Sequence, residues 1–186
     1  MWRILFLAFR RLPSPPFFVV LFMKKSITEN CCYEYDTPIG RVQIESNGKS
    51  IVRLDFVDEQ TALPSQGTAV AETPLISEAY IQLISYLKGY RKDFALPLSL
   101  FGTPFQKKVY DAMLAIPYGE TKSYGEIAKE VGSPKAARAV GGACHSNPVA
   151  IVVPCHRVVG SNGSLTGYGG GLDKKMVLKY YREYDG

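Results

Sequence analysis

Between residues 103 and 142 the sequence sets helix starts and stops so closely that only short, packed helices satisfy them. Thr103-Pro104-Phe105-Gln106 has the form of a capping box with proline at the first helical position. Ser123-Tyr124-Gly125-Glu126 is a second capping box. The first helix is expected to run to about Ile116, where Pro117-Tyr118-Gly119 turns the chain. The second ends at Gly132, and Ser133-Pro134 starts a third at once, as N-cap and N1. Two short helices joined through one Gly-Ser step make a helix-turn-helix candidate.

The later of these helices, PKAARAVGGA, carries Ala136, Ala137, Ala139, Gly141 and Gly142. Small side chains let a backbone approach a neighbour closely. Tight helix packing alone accounts for such a face; approach to DNA, with Lys135 and Arg138 as the cations, is the functional reading. Charge is also unevenly placed along the chain, which points to a nucleic-acid face on one half or to a solvated basic surface. Residues 101–186 hold eleven Lys/Arg against seven Asp/Glu, whereas residues 23–100 hold eight against ten. The net charge of +5 is therefore concentrated in the second half and in the first 22 residues, an asymmetry that suits a polyanionic partner on one half.

The first half reads differently. Val42 and Ile44 alternate with polar residues, Asn47-Gly48 follows, and Val52, Leu54 and Phe56 alternate again, which is a hairpin over 41–56. Residues 60–73 read as a loop. Thr73-Pro74 opens a helix with an apolar stripe of Leu75, Ile76, Ala79, Tyr80, Leu83, Ile84 and Leu87, stopped at Gly89. Residues 94–102 form an extended linker. The expected class is α+β: a small α/β domain over 23–100, then a mainly helical, winged-helix-like domain over 101–186. Residues 1–22 contain the apolar runs ILFLAF and FFVVLF, broken by Arg10, Arg11 and the prolines from Pro13 to Pro16. Neither run spans a bilayer. The segment fits a disordered extension or a start placed upstream of Met23, with a membrane anchor as the lesser option.

Cys31, Cys32, Cys144 and Cys155 are too few and too scattered for a disulfide framework, so a reducing compartment is expected. Only His145 and His156 are present and no CxxC pair exists, so no metal is expected. Chemistry concentrates in Ile151-Val152-Val153-Pro154-Cys155-His156-Arg157-Val158. Two cations directly after a cysteine favour its thiolate. The apolar run before it partly buries the site and sharpens that effect. Cys155 and His156 would face opposite sides of an extended segment, so they need a bent backbone or a bridging water to communicate. A cysteine that only packs is the plain alternative.

The stretch from Thr103 to Gly171 resembles the O6-alkylguanine-DNA alkyltransferases. The matching pieces are GTPFQKKVYDAMLAIPYGET, SYGEIAKEVGSPKAARAVGGA, NPVAIVVPCHRVVGSNG and TGYGGGLDKK. Over 30–100 the likeness rests on order and length, and fits the family's ribonuclease-like domain. The resemblance implies stoichiometric, irreversible transfer of an alkyl group from O6-alkylguanine in double-stranded DNA to Cys155, with no cofactor. O4-alkylthymine is a further possible substrate. It implies a monomer that reads DNA through the minor groove, with no membrane association, in the cytoplasm or, in a eukaryote, the nucleus.

The resemblance also assigns residues. Cys155 matches the acceptor and His156 the base that deprotonates it through a water. Asn147 matches the residue bracing the active-site turn. Tyr124 matches the tyrosine that crowds a phosphate and helps rotate the nucleotide out, and Arg138 the finger that fills the vacated stack. The carbonyls of Cys155 and Val158 match the acceptors for the guanine amino group, and Tyr168 and Gly169 the loop that closes over the base. Ser133 and Lys135 join the expected DNA contacts. Arg157 is expected to pair with a carboxylate. In one place the chain departs from the pattern: the glutamate that orients the histidine falls on Arg182, and Glu183 comes one residue later, a rotation of roughly 100° on a helix. Glu183 is the candidate for that role. Two other readings compete: a cysteine hydrolase or transferase working in cycles, whose loop should hold an oxyanion site, and a winged-helix protein that binds DNA without chemistry.

Overall fold

The computed structural model describes residues 30–57 and 65–165, together with Gly171, Lys175, Met176 and Leu178. Residues 1–22, Tyr168, Gly169, Arg182 and Glu183 lie outside the described residues.

The first unit is a four-stranded sheet covered by one helix. Strand β1 (Cys31–Thr37) pairs antiparallel with β2 (Gly40–Ser46), which pairs antiparallel with β3 (Ile51–Phe56). The short β4 (Ala69–Val70) runs parallel to β1, so the order is β3-β2-β1-β4. The expected hairpin is β2-β3. Its turn is longer than the bare Asn-Gly pair: the Asn47 Oδ1 accepts from the backbone N–H of Lys49 at 3.0 Å and of Ser50 at 2.8 Å. A bulge at Glu45/Ser46 absorbs the extra length. Strand β1 was not anticipated, because Cys31-Cys32-Tyr33-Glu34 carries no turn signal to frame it.

Helix α1 (Pro74–Leu87) starts where expected, with the Thr73 hydroxyl accepting from Ile76 N–H at 3.3 Å. It buries Ile76, Ala79, Leu83 and Leu87 against Val42, Ile44, Ile51 and Leu54. Its buried stripe also takes in Gln82 and Tyr86, while Tyr80 and Ile84 are half-buried.

The second unit contains α2 (Pro104–Leu114), α3 (Tyr124–Glu130) and α4 (Ala137–His145), packed on one another. Both predicted capping boxes are formed. The start of α4 differs from the expectation. The Ser133 N–H bonds back to the Ala128 carbonyl at 2.8 Å and closes α3 instead of opening the next helix. Residues 133–136 make a turn, and α4 begins at Ala137 without a side-chain cap.

Two backbone connections position the site. The outer edge of β3 is occupied at both ends. Ile51 exchanges hydrogen bonds with Pro97 and Ser99 of the extended linker, and Leu54 does the same with Pro148 and Ala150. The chain entering the site is thus hydrogen-bonded to the first unit. The chain leaving it forms β6 (Val158–Val159), parallel to β5 (Lys122–Ser123), which runs straight into α3. Tyr124 is tied in this way to the segment that follows Cys155. Among the described residues no helix is long and apolar enough to cross a membrane.

Candidate active site

The approach to Cys155 is a pair of very tight turns. Val152 N–H bonds to the Ala150 carbonyl at 2.8 Å across Ile151, whose φ is 71°. That is a γ-turn in the left-handed region, where a β-branched residue is strained. Ile151 is nevertheless buried. Cys155 N–H bonds to the Val153 carbonyl at 2.8 Å across Pro154, at φ −83° and ψ 63°, an inverse γ-turn that suits proline. Cys155 itself opens a single 3₁₀ turn, Cys155–Arg157. The bent backbone demanded by the adjacency of Cys155 and His156 is therefore present.

Asn147 holds this turn with every polar atom it has. Its Nδ2 donates to the Val153 carbonyl at 2.8 Å and to the Cys155 sulfur at 3.2 Å, and its Oδ1 accepts from Val149 N–H at 3.1 Å. Cys155 and His156 are both buried, at 5% and 3% exposure. Burial raises the Cys155 thiol above its ordinary range; the Asn147 amide and the Lys175 ammonium pull it back down, and Asp55 adds a smaller push upward. The net effect is upward, so the resting residue is a thiol that needs a proton acceptor.

Lys175 was not anticipated. It is fully buried, and its Nζ donates to the Val158 carbonyl at 2.8 Å. The same Nζ lies 5.9 Å from the centre of the Tyr124 ring. Burial lowers its pKa, and the thiols of Cys155 and Cys144 oppose that. Cys144 is pushed up to about 12, first by burial and then by Cys155, and its sulfur donates to that of Met113 at 3.5 Å. It is a packing cysteine.

Among the described residues no carboxylate pairs with Arg157. Its Nη1 donates to the Ile116 carbonyl at 2.6 Å, its Nη2 donates to the Tyr86 hydroxyl at 3.3 Å, and its guanidinium lies 5.7 Å from the centre of the Tyr118 ring. The Tyr86 hydroxyl is in turn 3.2 Å from His156 Nε2. Tyr86 also escaped the sequence reading.

Tyr124 and Arg138 line a separate, open pocket of about 570 Å³ with Gly125, Ala137, Gly141, His145 and Ser161. Gly141 faces the Tyr124 ring, where an added Cβ would sit 3.8 Å away. Arg138 is exposed, and no carboxylate among the described residues pairs with it. Lys135 is exposed and Ser133 half-buried, both in the turn before α4. The predicted residues thus fall into two groups. Cys155, His156, Asn147 and Val158 form a buried cluster, and Tyr124 and Arg138 form the open pocket. Lys175 touches both.

Comparison with known proteins separates the readings. Residues 31–100 match the model of the 6-O-methylguanine DNA methyltransferase ribonuclease-like domain, and residues 104–180 that of the same family's DNA binding domain. The chain belongs to the 6-O-methylguanine DNA methyltransferase family. Relatives with the name methylated-DNA–protein-cysteine methyltransferase include one from Mycobacterium leprae, 50% identical over 79% of this chain and 88% of the relative. A constitutive one from Bacillus subtilis is 51% identical over 73% and 84%. The crystal structure of Mycobacterium tuberculosis O6-methylguanine methyltransferase superposes with a TM-score of 0.77 at 44% identity, covering 84% of this chain and 94% of that one. A structure of the Mycobacterium tuberculosis protein in complex with DNA gives 0.75 at 42% identity, over 82% and 93%. The family's two-domain α+β architecture is the one described above.

Proposed function

We propose that this chain repairs O6-alkylguanine in double-stranded DNA by accepting the alkyl group on Cys155, once per molecule. The observation that carries this reading is a buried cysteine whose sulfur is held by Asn147 in a bent turn shared with His156, linked through Lys175 to an open pocket walled by small residues and an exposed arginine. The C–O6 bond breaks as the S–C bond forms, so the sulfur must be soft and the base extruded. His156 takes the thiol proton through a bridging water. Glu183 is the carboxylate proposed to steady the histidine. Asn147 braces the sulfur. Tyr124 and Arg138 handle the extruded nucleotide from the minor groove, with Ser133 and Lys135 on the backbone. The carbonyls of Cys155 and Val158 meet the guanine amino group, and Tyr168 and Gly169 close over the base. Each carbonyl already accepts one hydrogen bond, from Val158 N–H and from Lys175 respectively, which leaves each a second lone pair. The protein acts as a monomer in a reducing, cytoplasmic setting; none of its four cysteines is in a disulfide. O4-alkylthymine is a second proposed substrate.

Mass spectrometry after exposure to excess O6-methylguanine duplex should find one methyl group, on the peptide carrying Cys155, and no further consumption of substrate. Sustained turnover would mean a hydrolase or a recycling transferase instead. Arg138→Ala should slow repair of the duplex about tenfold or more, yet leave attack on free O6-benzylguanine nearly unchanged, because only the duplex requires base extrusion. Comparing the two rate constants checks this. Equal losses would make Arg138 structural.

A further inference from the structure

We infer that Tyr86, contributed by the first domain, is a positioning residue for His156 and determines which ring nitrogen is its basic one. The inference rests on the proposed function above. Tyr86 is 4% exposed, and its hydroxyl has two polar neighbours, His156 Nε2 at 3.2 Å and Arg157 Nη2 at 3.3 Å. A guanidinium can only donate. Arg157 therefore donates to the phenol oxygen, and the phenol's own proton has Nε2 as its acceptor. A buried O–H left without an acceptor costs more than the bond itself returns. Neutral His156 accordingly carries its hydrogen on Nδ1 and keeps its lone pair on Nε2.

A donor aimed at Nε2 stabilises the free base and opposes the imidazolium. Arg157 adds a positive charge on the same side. Among the described residues, the titratable and charged groups around this pair are Cys155 and Arg157 from its own turn, Tyr86 from α1, and Tyr118 from the turn after α2. When the thiol proton reaches Nε2, the Tyr86 hydroxyl must turn to accept from it. The ring stays held in both states. The Tyr86 ring is itself fixed by edge contact with Tyr118 and tilted contact with Phe94, at centroid distances of 5.9 and 5.0 Å.

The test is Tyr86→Phe, which keeps the ring and removes the hydroxyl. The chain has only two histidines, so the ring resonances of His156 can be followed by ¹⁵N NMR with exposed His145 as internal reference. The unaltered protein should show Nδ1 protonated and Nε2 bare. In Tyr86→Phe the titration midpoint of His156 should move to higher pH while His145 stays put. Methyl transfer at neutral pH should slow about tenfold, the equivalent of one hydrogen bond lost, and duplex binding should not change. Tyr80→Phe, on the same helix, should leave both readouts unmoved. A folded Tyr86→Phe protein with an unshifted His156 midpoint and an unchanged rate would overturn the inference. If the unaltered protein never methylates Cys155, the proposed function fails instead, and the NMR result stands apart from it.

Discussion

Asn147→Ala is expected to slow alkyl transfer by about a hundredfold and to cost about 3 kcal/mol of stability. The side chain makes three hydrogen bonds, to the sulfur, to the Val153 carbonyl and to Val149 N–H. Each is worth about 1 kcal/mol net, and the buried groups left behind add to the loss. The kinetic effect has a separate origin. Without the amide, the developing thiolate loses the largest of the interactions that offset its burial, and the turn carrying it loses its brace. Single-turnover kinetics with free O6-benzylguanine and thermal unfolding measure the two effects independently. A variant that loses stability but transfers at the native rate would show that Asn147 only holds the loop.

Lys175→Met is expected to separate the same two quantities in the opposite sense. Methionine fills the space of the lysine stem, and removing a buried ammonium relieves its desolvation, so stability should change little. The rate should change a great deal. Lys175 lowers the Cys155 pKa against the upward push of burial. Without it the thiol ionises only at higher pH, so transfer at pH 7 should fall about thirtyfold. The sign is testable, since the lost rate should return progressively as pH is raised, more steeply than in the native protein. A uniform loss at every pH would instead assign Lys175 to the Val158 carbonyl and the Tyr124 ring, that is, to substrate placement.

The parts of the molecule that were legible in its sequence are those encoded by neighbours. Thr103 and Gln106, or Ser123 and Glu126, sit three residues apart and report a helix start wherever they occur. Asn47-Gly48 reports its hairpin, and the Pro154-Cys155-His156 run marks the proposed site. Residues recruited from a distance were not legible. Tyr86 lies 70 positions from His156 and shares a helix with Tyr80, whose hydroxyl donates to the Asp36 carbonyl instead. Lys175 is one of two adjacent lysines, a pattern that reads as solvated surface; only the fold buries it. The Ser133-Pro134 pair shows a third kind of failure. Its local signal was genuine, but the N–H of Ser133 was already committed to ending the previous helix. For Arg157 the sequence suggested a carboxylate, and among the described residues the guanidinium instead meets a backbone carbonyl at Ile116, which no local signal announces.

The occupied edge of β3 has a kinetic side. The segment that leads into Cys155 pairs with Leu54, a residue of the amino-terminal sheet, as well as with its own turn at Val153. Contacts of such long sequence separation close late, since the loop entropy must be met before they return anything. During refolding, and while the chain emerges from the ribosome, Cys155 should therefore remain accessible to thiol reagents after α1 and α2 are protected from hydrogen exchange. If Cys155 is the acceptor proposed above, its sulfur should be shielded late, so oxidative loss during synthesis, before any lesion is met, becomes a route by which repair capacity is spent.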